Sequence, residues 1–272
     1  KEVIFEGDRL EPIYTDVPGQ WGAIINYSTS NLNVINHLTL KNATVGILSG
    51  NLATTTNTND FPKLTIKNSQ IYNCSNLGIL ARKSIVNGEN LVINYCGQAS
   101  FAGTFGGSYN FTHCTFNNNW SSSSQVAVLL NNYFETDTTI YVHDLTQANF
   151  NNCIIYGSNQ VEMFLDKETE GGAAFNYKFN HCLIRFNNVN NQFTNNPLYQ
   201  FSTDAIHYNN CTIATNSSTN KPKYEDLNNN KLWLTEDLNL PADAIFTAFV
   251  PLDILNVSRT TSTDLGAYQF VP

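Results

Sequence analysis

The sequence predicts an all-β fold: a right-handed parallel β-helix, a solenoid of about seven rungs, followed by a C-terminal extension. Three observations point there. A short pattern, apolar-x-apolar-x-x-small-x-apolar, recurs seven times, and its inward positions step by two, as in a strand, except for one step of three. The residues at that odd step are mostly asparagine, which tolerates the left-handed backbone region better than other residues with a side chain. Taken from the small residue, the copies are spaced 26, 27, 18, 39, 29 and 29 residues apart. These are coil lengths of a repeat in which each turn buries its inner face only against its neighbours.

The copies run in order. The first is Leu38, Leu40, Ala43 and Val45, and the second is Leu64, Ile66, Ser69 and Ile71. The third, Leu91, Ile93 and Cys96, breaks at its last position, where Gln98 stands. Then come Tyr109, Phe111, Cys114 and Phe116; Ala148, Phe150, Cys153 and Ile155; Tyr177, Phe179, Cys182 and Ile184; and Ile206, Tyr208, Cys211 and Ile213. The step of three means that one extra residue turns the chain and returns both flanking strands to the same interior. The bends are Lys41-Asn42, Lys67-Asn68, Asn94-Tyr95, Thr112-His113, Asn151-Asn152, Asn180-His181 and Asn209-Asn210. Stacking then predicts a column of Cys96, Cys114, Cys153, Cys182 and Cys211 and another of Phe111, Phe150, Phe179 and Tyr208. Seven rungs at about 4.8 Å each make a rod of roughly 30 to 35 Å. Parallel side chains on neighbouring strands give poor disulfide torsion, so the cysteines read as a buried thiol ladder, with Cys74 off the column.

Residues 1–220 read as the β-helix and 221–272 as an extension whose Leu232, Trp233, Leu234, Ile245, Phe246 and Phe249 cover the last rung. Val3 and Phe5 already alternate like a strand, and solenoids need capped ends, so further N-terminal rungs or a cap are expected before Lys1. The alternative is a leucine-rich-repeat-like solenoid, whose signature has leucines at matching offsets. Against it, the coil length varies, and the connecting segments 51–60, 117–124 and 187–196 are rich in Asn, Ser and Thr and poor in helix formers.

Formal charge is −8, charged residues are only 13 %, and no Lys- or Arg-rich block occurs, which leaves nucleic acid and anionic membranes without an electrostatic footprint. Hydrophobic content of 42 % supports a core, yet no run approaches the roughly 20 apolar residues of a membrane span. The 41 asparagines match a residue type required at a repeated backbone position.

In Pro18-Gly19-Gln20-Trp21-Gly22-Ala23-Ile24, Gly46-Ile47, Gly78-Ile79 and Asn196-Pro197-Leu198, the chain resembles the pectin-lyase-like right-handed β-helix superfamily. More narrowly, it is similar to the secreted or surface-anchored β-helix proteins of Bacteroidota. The closing Arg259 to Tyr268 segment, ending Asp264-Leu265-Gly266-Ala267-Tyr268, looks like that group's C-terminus, with Gln269 where an acidic residue is more often found. The resemblance implies an extracellular or cell-surface protein of the outer-membrane lipoprotein kind, with a polysaccharide ligand or an outer-membrane protein complex as partner. It carries no chemistry, because related proteins include lyases, glycosidases and adhesins.

Uronate lyases of this fold need acidic residues for Ca²⁺ or carboxylate neutralisation plus an Arg or Lys base, and related glycosidases need a carboxylate pair. The outward positions of the repeated strand read Thr39, Thr65, Val92, Asn110, Asn149, Lys178 and His207, then Lys41, Lys67, Asn94, Thr112, Asn151, Asn180 and Asn209, without a carboxylate. No catalytic residue, metal ligand or cofactor is assigned. Glu162, Asp166, Glu168 and Glu170 read as a solvated loop, and His113 and His181 as corner residues in place of Asn. The ligand-binding candidates are Trp120, Tyr133, Phe134 and Tyr141, in the longest coil, since aromatics on an insert suit sugar stacking or a protein partner. The expected function is a glycan-binding or envelope-complex component. The alternatives are a polysaccharide lyase or glycoside hydrolase and a purely structural or adhesive subunit.

Overall fold

The computed structural model describes residues 3–9, 11–27, 29–50, 62–216, 218–238, 240, 244–261 and 263–271. The chain is all-β, 49 % strand against 4 % helix, with most of its strands in a curled parallel sheet. Strands pair in register with the strand one repeat ahead: Phe111 lies opposite Phe150, Phe150 opposite Phe179, and Phe179 opposite Tyr208. A leucine-rich repeat contributes one strand per repeat. Here Leu145–Asn151, Ile154–Gly157 and Met163–Asp166 follow one another within a single repeat. The connecting segment 51–60 lies outside the described residues.

The register corrects the phase of two copies. Strand Lys63–Cys74 sets Leu64 opposite Val86, Ser69 opposite Leu91 and Ile71 opposite Ile93, so the third copy is Val86, Gly88, Leu91 and Ile93. Likewise Asn33 and Ile35 face Leu64 and Ile66, and Leu40 faces Ile71, which makes the first copy Asn33, Ile35, Leu38 and Leu40. The copies then begin 31, 22, 23, 39, 29 and 29 residues apart, and the odd short coil disappears. Two causes misled the pattern. Gly88 has no side chain to count as apolar, because the ring of Phe111 occupies its place, 2.5 Å from where a Cβ would sit. In addition, the chain bends twice in succession, and the second bend repeats the chemistry of the first.

The first bend puts one residue of every repeat in the left-handed region, and the second does so in the first three repeats. At the first bend these are His37, Asn68, Asn90, His113, Asn152, His181 and Asn210, with φ between 47° and 57°. At the second they are Asn42, Asn73 and Tyr95, with φ of 62°, 56° and 58°. Their side chains pass hydrogen bonds from repeat to repeat. Asn90 Nδ2 donates to Asn68 Oδ1 at 3.0 Å, and Asn152 Nδ2 and Asn210 Nδ2 meet His113 Nε2 and His181 Nε2 at 3.0 and 3.1 Å. Burial, with the Arg259 charge nearby, holds His113 neutral by lowering its pKa to about 3, so its ring accepts there as an asparagine would.

The thiol column is real but shorter. Cys114, Cys153, Cys182 and Cys211 follow one another, whereas Cys96 belongs with Cys74 at the second bend. All six cysteines are free. In the four-member column each Sγ points at the carbonyl two residues back, at 3.2 to 3.6 Å, as Ser69 Oγ does at 2.6 Å. The small residue therefore satisfies a carbonyl that the bend turns inward. Beside it stack Phe111, Phe150, Phe179 and Tyr208, with centroids 5.3, 4.9 and 5.6 Å apart and planes within 28°.

The C-terminal segment runs along the flank of these strands. Leu232, Ile254, Ala267 and Tyr268 pack on Val92, while Leu240 and Leu265 pack on Ile154, Leu183 and Ala214. Gly266 N donates to Asn152 O, Ala267 N to Thr115 Oγ1, and the buried Arg259 Nη2 to Asn90 Oδ1. Ile245, Phe246 and Phe249 remain exposed. Among the described residues no helix is long and apolar enough to cross a membrane.

Candidate functional site

The four candidate aromatics separate into two places. Tyr133 and Phe134 lie on strand Tyr133–Glu135, antiparallel to Ile140–Val142, with Phe134 opposite Tyr141. The hairpin folds back on the sheet. Phe134 lies over the guanidinium of Arg82 at 4.1 Å, and the Tyr133 hydroxyl donates to Asp166 at 2.5 Å, a bond that pushes its pKa up to about 12. Trp120 is elsewhere, edge-on to Tyr95 at 5.4 Å.

Trp120 opens the insert whose far end walls a groove of about 670 Å³. The floor is the outward side of two parallel strands, Val126–Asn131 and Met163–Asp166, with Leu129 opposite Phe164. Ala127 and Val128 are both in the core, and both N–H groups converge on Glu162 O, so Val126 and Leu129 are the residues left facing out. Val161 completes the apolar floor, Phe164 and Phe193 supply rings, and Gln98, Gln125, Asn159, Gln160, Gln192 and Ser123–Ser124 supply amides and hydroxyls. Among the described residues no charged side chain lines the groove.

A buried acid holds this wall. Glu162 is fully buried, and its Oε1 accepts from Asn159 N at 2.7 Å and from Gln125 Nε2 at 3.4 Å. Asn159 Nδ2 in turn donates to Ser122 O and Gln125 O at 3.0 and 2.7 Å, which pins the serine segment against the turn 157–162. Burial raises the Glu162 pKa to about 8, against the opposing pull of these bonds and of Arg185. The second carboxyl oxygen, Oε2, and Gln125 Oε1 are buried without a hydrogen-bond partner. A proton on Glu162 turns that pair of acceptors into a donor and an acceptor.

The acids of 162–170 do not act together. Asp166 is taken by Tyr133, and Glu168 Oε1 accepts from Glu170 N. Among the described residues no three His, Cys, Asp or Glu side chains converge for a metal. The corrected phase does alter the outward columns. Asn87 joins Asn110 and Asn149 in an amide ladder with bonds of 3.3 and 2.8 Å, and Glu89 takes the place expected for Asn94. This carboxylate, absent from the expected columns, is paired with Lys67 at 2.9 Å.

Trp120, Tyr133, Phe134 and Tyr141 are not among the residues lining this groove, to which the same insert contributes Ser123–Ser124, Gln125, Val126 and Leu129. Gln98 stood out only as the break in the third copy, and Phe164 only as an interruption among acids. The strand alternation of Met163, Phe164 and Leu165, buried, exposed and buried, was the available signal for Phe164. No protein-family model, characterised protein or solved structure matches the chain.

Proposed function

We propose that this chain is an exported right-handed parallel β-helix of the pectin-lyase-like kind that binds an uncharged glycan in the groove beside Phe164, as a component of the cell surface. The winding and the location rest on the repeat pattern and on the motifs in which the sequence resembles that superfamily. The repeat-to-repeat parallel register and the paired bends support the winding. One observation carries the binding role: a groove lined by amides, hydroxyls and two phenylalanine rings, without a charge. Amides and hydroxyls hydrogen-bond sugar hydroxyls, and aromatic faces cover the C–H side of a pyranose. Lytic or hydrolytic chemistry needs a free base or carboxylate beside the sugar, and Glu89, the carboxylate of the outward columns, is engaged by Lys67.

The test is calorimetric titration with a panel of neutral and acidic oligosaccharides. Neutral members bind, and Phe164→Ala or Gln98→Ala, both at exposed positions, weakens binding at least several-fold with an unchanged far-ultraviolet spectrum. Binding confined to acidic members, or untouched by both substitutions, overturns the assignment.

A further inference from the structure

We infer that the groove selects sugars carrying an acetamido group over their hydroxyl counterparts; this rests on the glycan-binding reading above and names the ligand class. The floor made by Val126, Leu129 and Val161 is apolar, and a sugar hydroxyl placed on it loses its water without gaining a partner. A methyl group there loses nothing and buries area. The walls on either side of that floor carry complementary amide atoms. Gln160 Oε1 already accepts from Arg185 Nη2 and Asn187 Nδ2, at 2.9 and 2.8 Å, so what it presents to the groove is its Nε2 donor. Gln98 is exposed at the groove, and its amide can turn its oxygen toward a ligand N–H.

By register these two residues stand two strands apart, since Ala99 faces Val126 and Val128 faces Met163. That is roughly 9.6 Å. Gln125 stands between them, buried and turned to Glu162, and a secondary amide with one hydrogen bond of about 2.9 Å on each side can bridge the two outer side chains across it, its carbonyl toward Gln160 and its N–H toward Gln98. The acetyl methyl then falls on the floor at Val126 and Val161, the strand positions next to that register. A carboxylate or amine in the same place finds no counter-charge in the lining, and a hydroxyl uses only one of the two walls.

The experiment titrates the full chain with oligosaccharides of N-acetylglucosamine and N-acetylgalactosamine and with the matching glucose and galactose oligomers. An acetamido series binds on the order of tenfold or more tighter than its hydroxyl match, and Gln98→Leu narrows that gap while leaving residual affinity. Equal or tighter binding of the hydroxyl sugars overturns the selectivity and leaves the glycan reading standing. Absence of binding by every member overturns both.

Discussion

Raising the pH should destabilise this protein through a single buried side chain, Glu162. Its carboxyl has a pKa of about 8 in the folded chain against an ordinary 4.5, because burial removes the water that would stabilise the anion. Below about pH 4.5 both folded and unfolded chains hold the proton, so Glu162 costs nothing. Between 4.5 and 8 the unfolded chain releases it while the folded chain keeps it, and stability falls as pH rises. Above 8 both are ionised and the full penalty applies. A rise of between three and four pH units, at 1.36 kcal/mol each, amounts to about 5 kcal/mol across the window. Glu162→Gln removes the titration and keeps the shape, since the amide oxygen can still accept from Asn159 N. Urea unfolding of both proteins at pH 5, 7 and 9 isolates the effect, because every other carboxylate is common to the pair. The variant should be close to the wild type at pH 5 and more stable by several kcal/mol at pH 9. A stability difference constant to within about 0.5 kcal/mol over that range would mean that Glu162 titrates alike in both states, and the buried neutral acid would be refuted.

Two further outcomes follow from the stacked columns. Phe150 is fully buried between rings 5.3 and 4.9 Å away, so Phe150→Ala should cost about 3 to 5 kcal/mol in urea unfolding; a loss below about 1 kcal/mol would place the side chain outside the core. Cys114, Cys153 and Cys182 are buried, and burial pushes the thiols of Cys153 and Cys182 up, away from the reactive thiolate. They should resist a thiol reagent in the native state and react fully after denaturation, and modification without unfolding would break the ladder.

What could be read from the sequence was whatever a single repeat must satisfy alone. A residue in the left-handed region is restricted by its own backbone, so the Asn-rich bends were legible, and every second residue of the expected bends does adopt positive φ. The Phe111, Phe150, Phe179 and Tyr208 column was legible for a related reason, because four large rings at one offset must share an interior. Phase in the first and third repeats was not, since it depends on contacts with the neighbouring repeat, such as the Phe111 ring that fills the space above Gly88. Glu89 beside Lys67 and Cys96 beside Cys74 came out only with that register.

The groove depended on tertiary structure altogether. Gln98, Leu129, Gln160, Phe164 and Phe193 come from four separate stretches of chain, and parallel stacking alone makes them neighbours. Glu162 shows the same dependence in its chemistry. In the sequence it heads a run of acids with the look of a solvated loop. In the fold its carbonyl takes two N–H groups from the adjacent strand and its carboxyl is sealed beneath a turn, so water is excluded and the proton stays on. Backbone restriction acts residue by residue and is written in residue identity, whereas desolvation and cross-repeat contact exist only once the parallel strands of different repeats lie side by side.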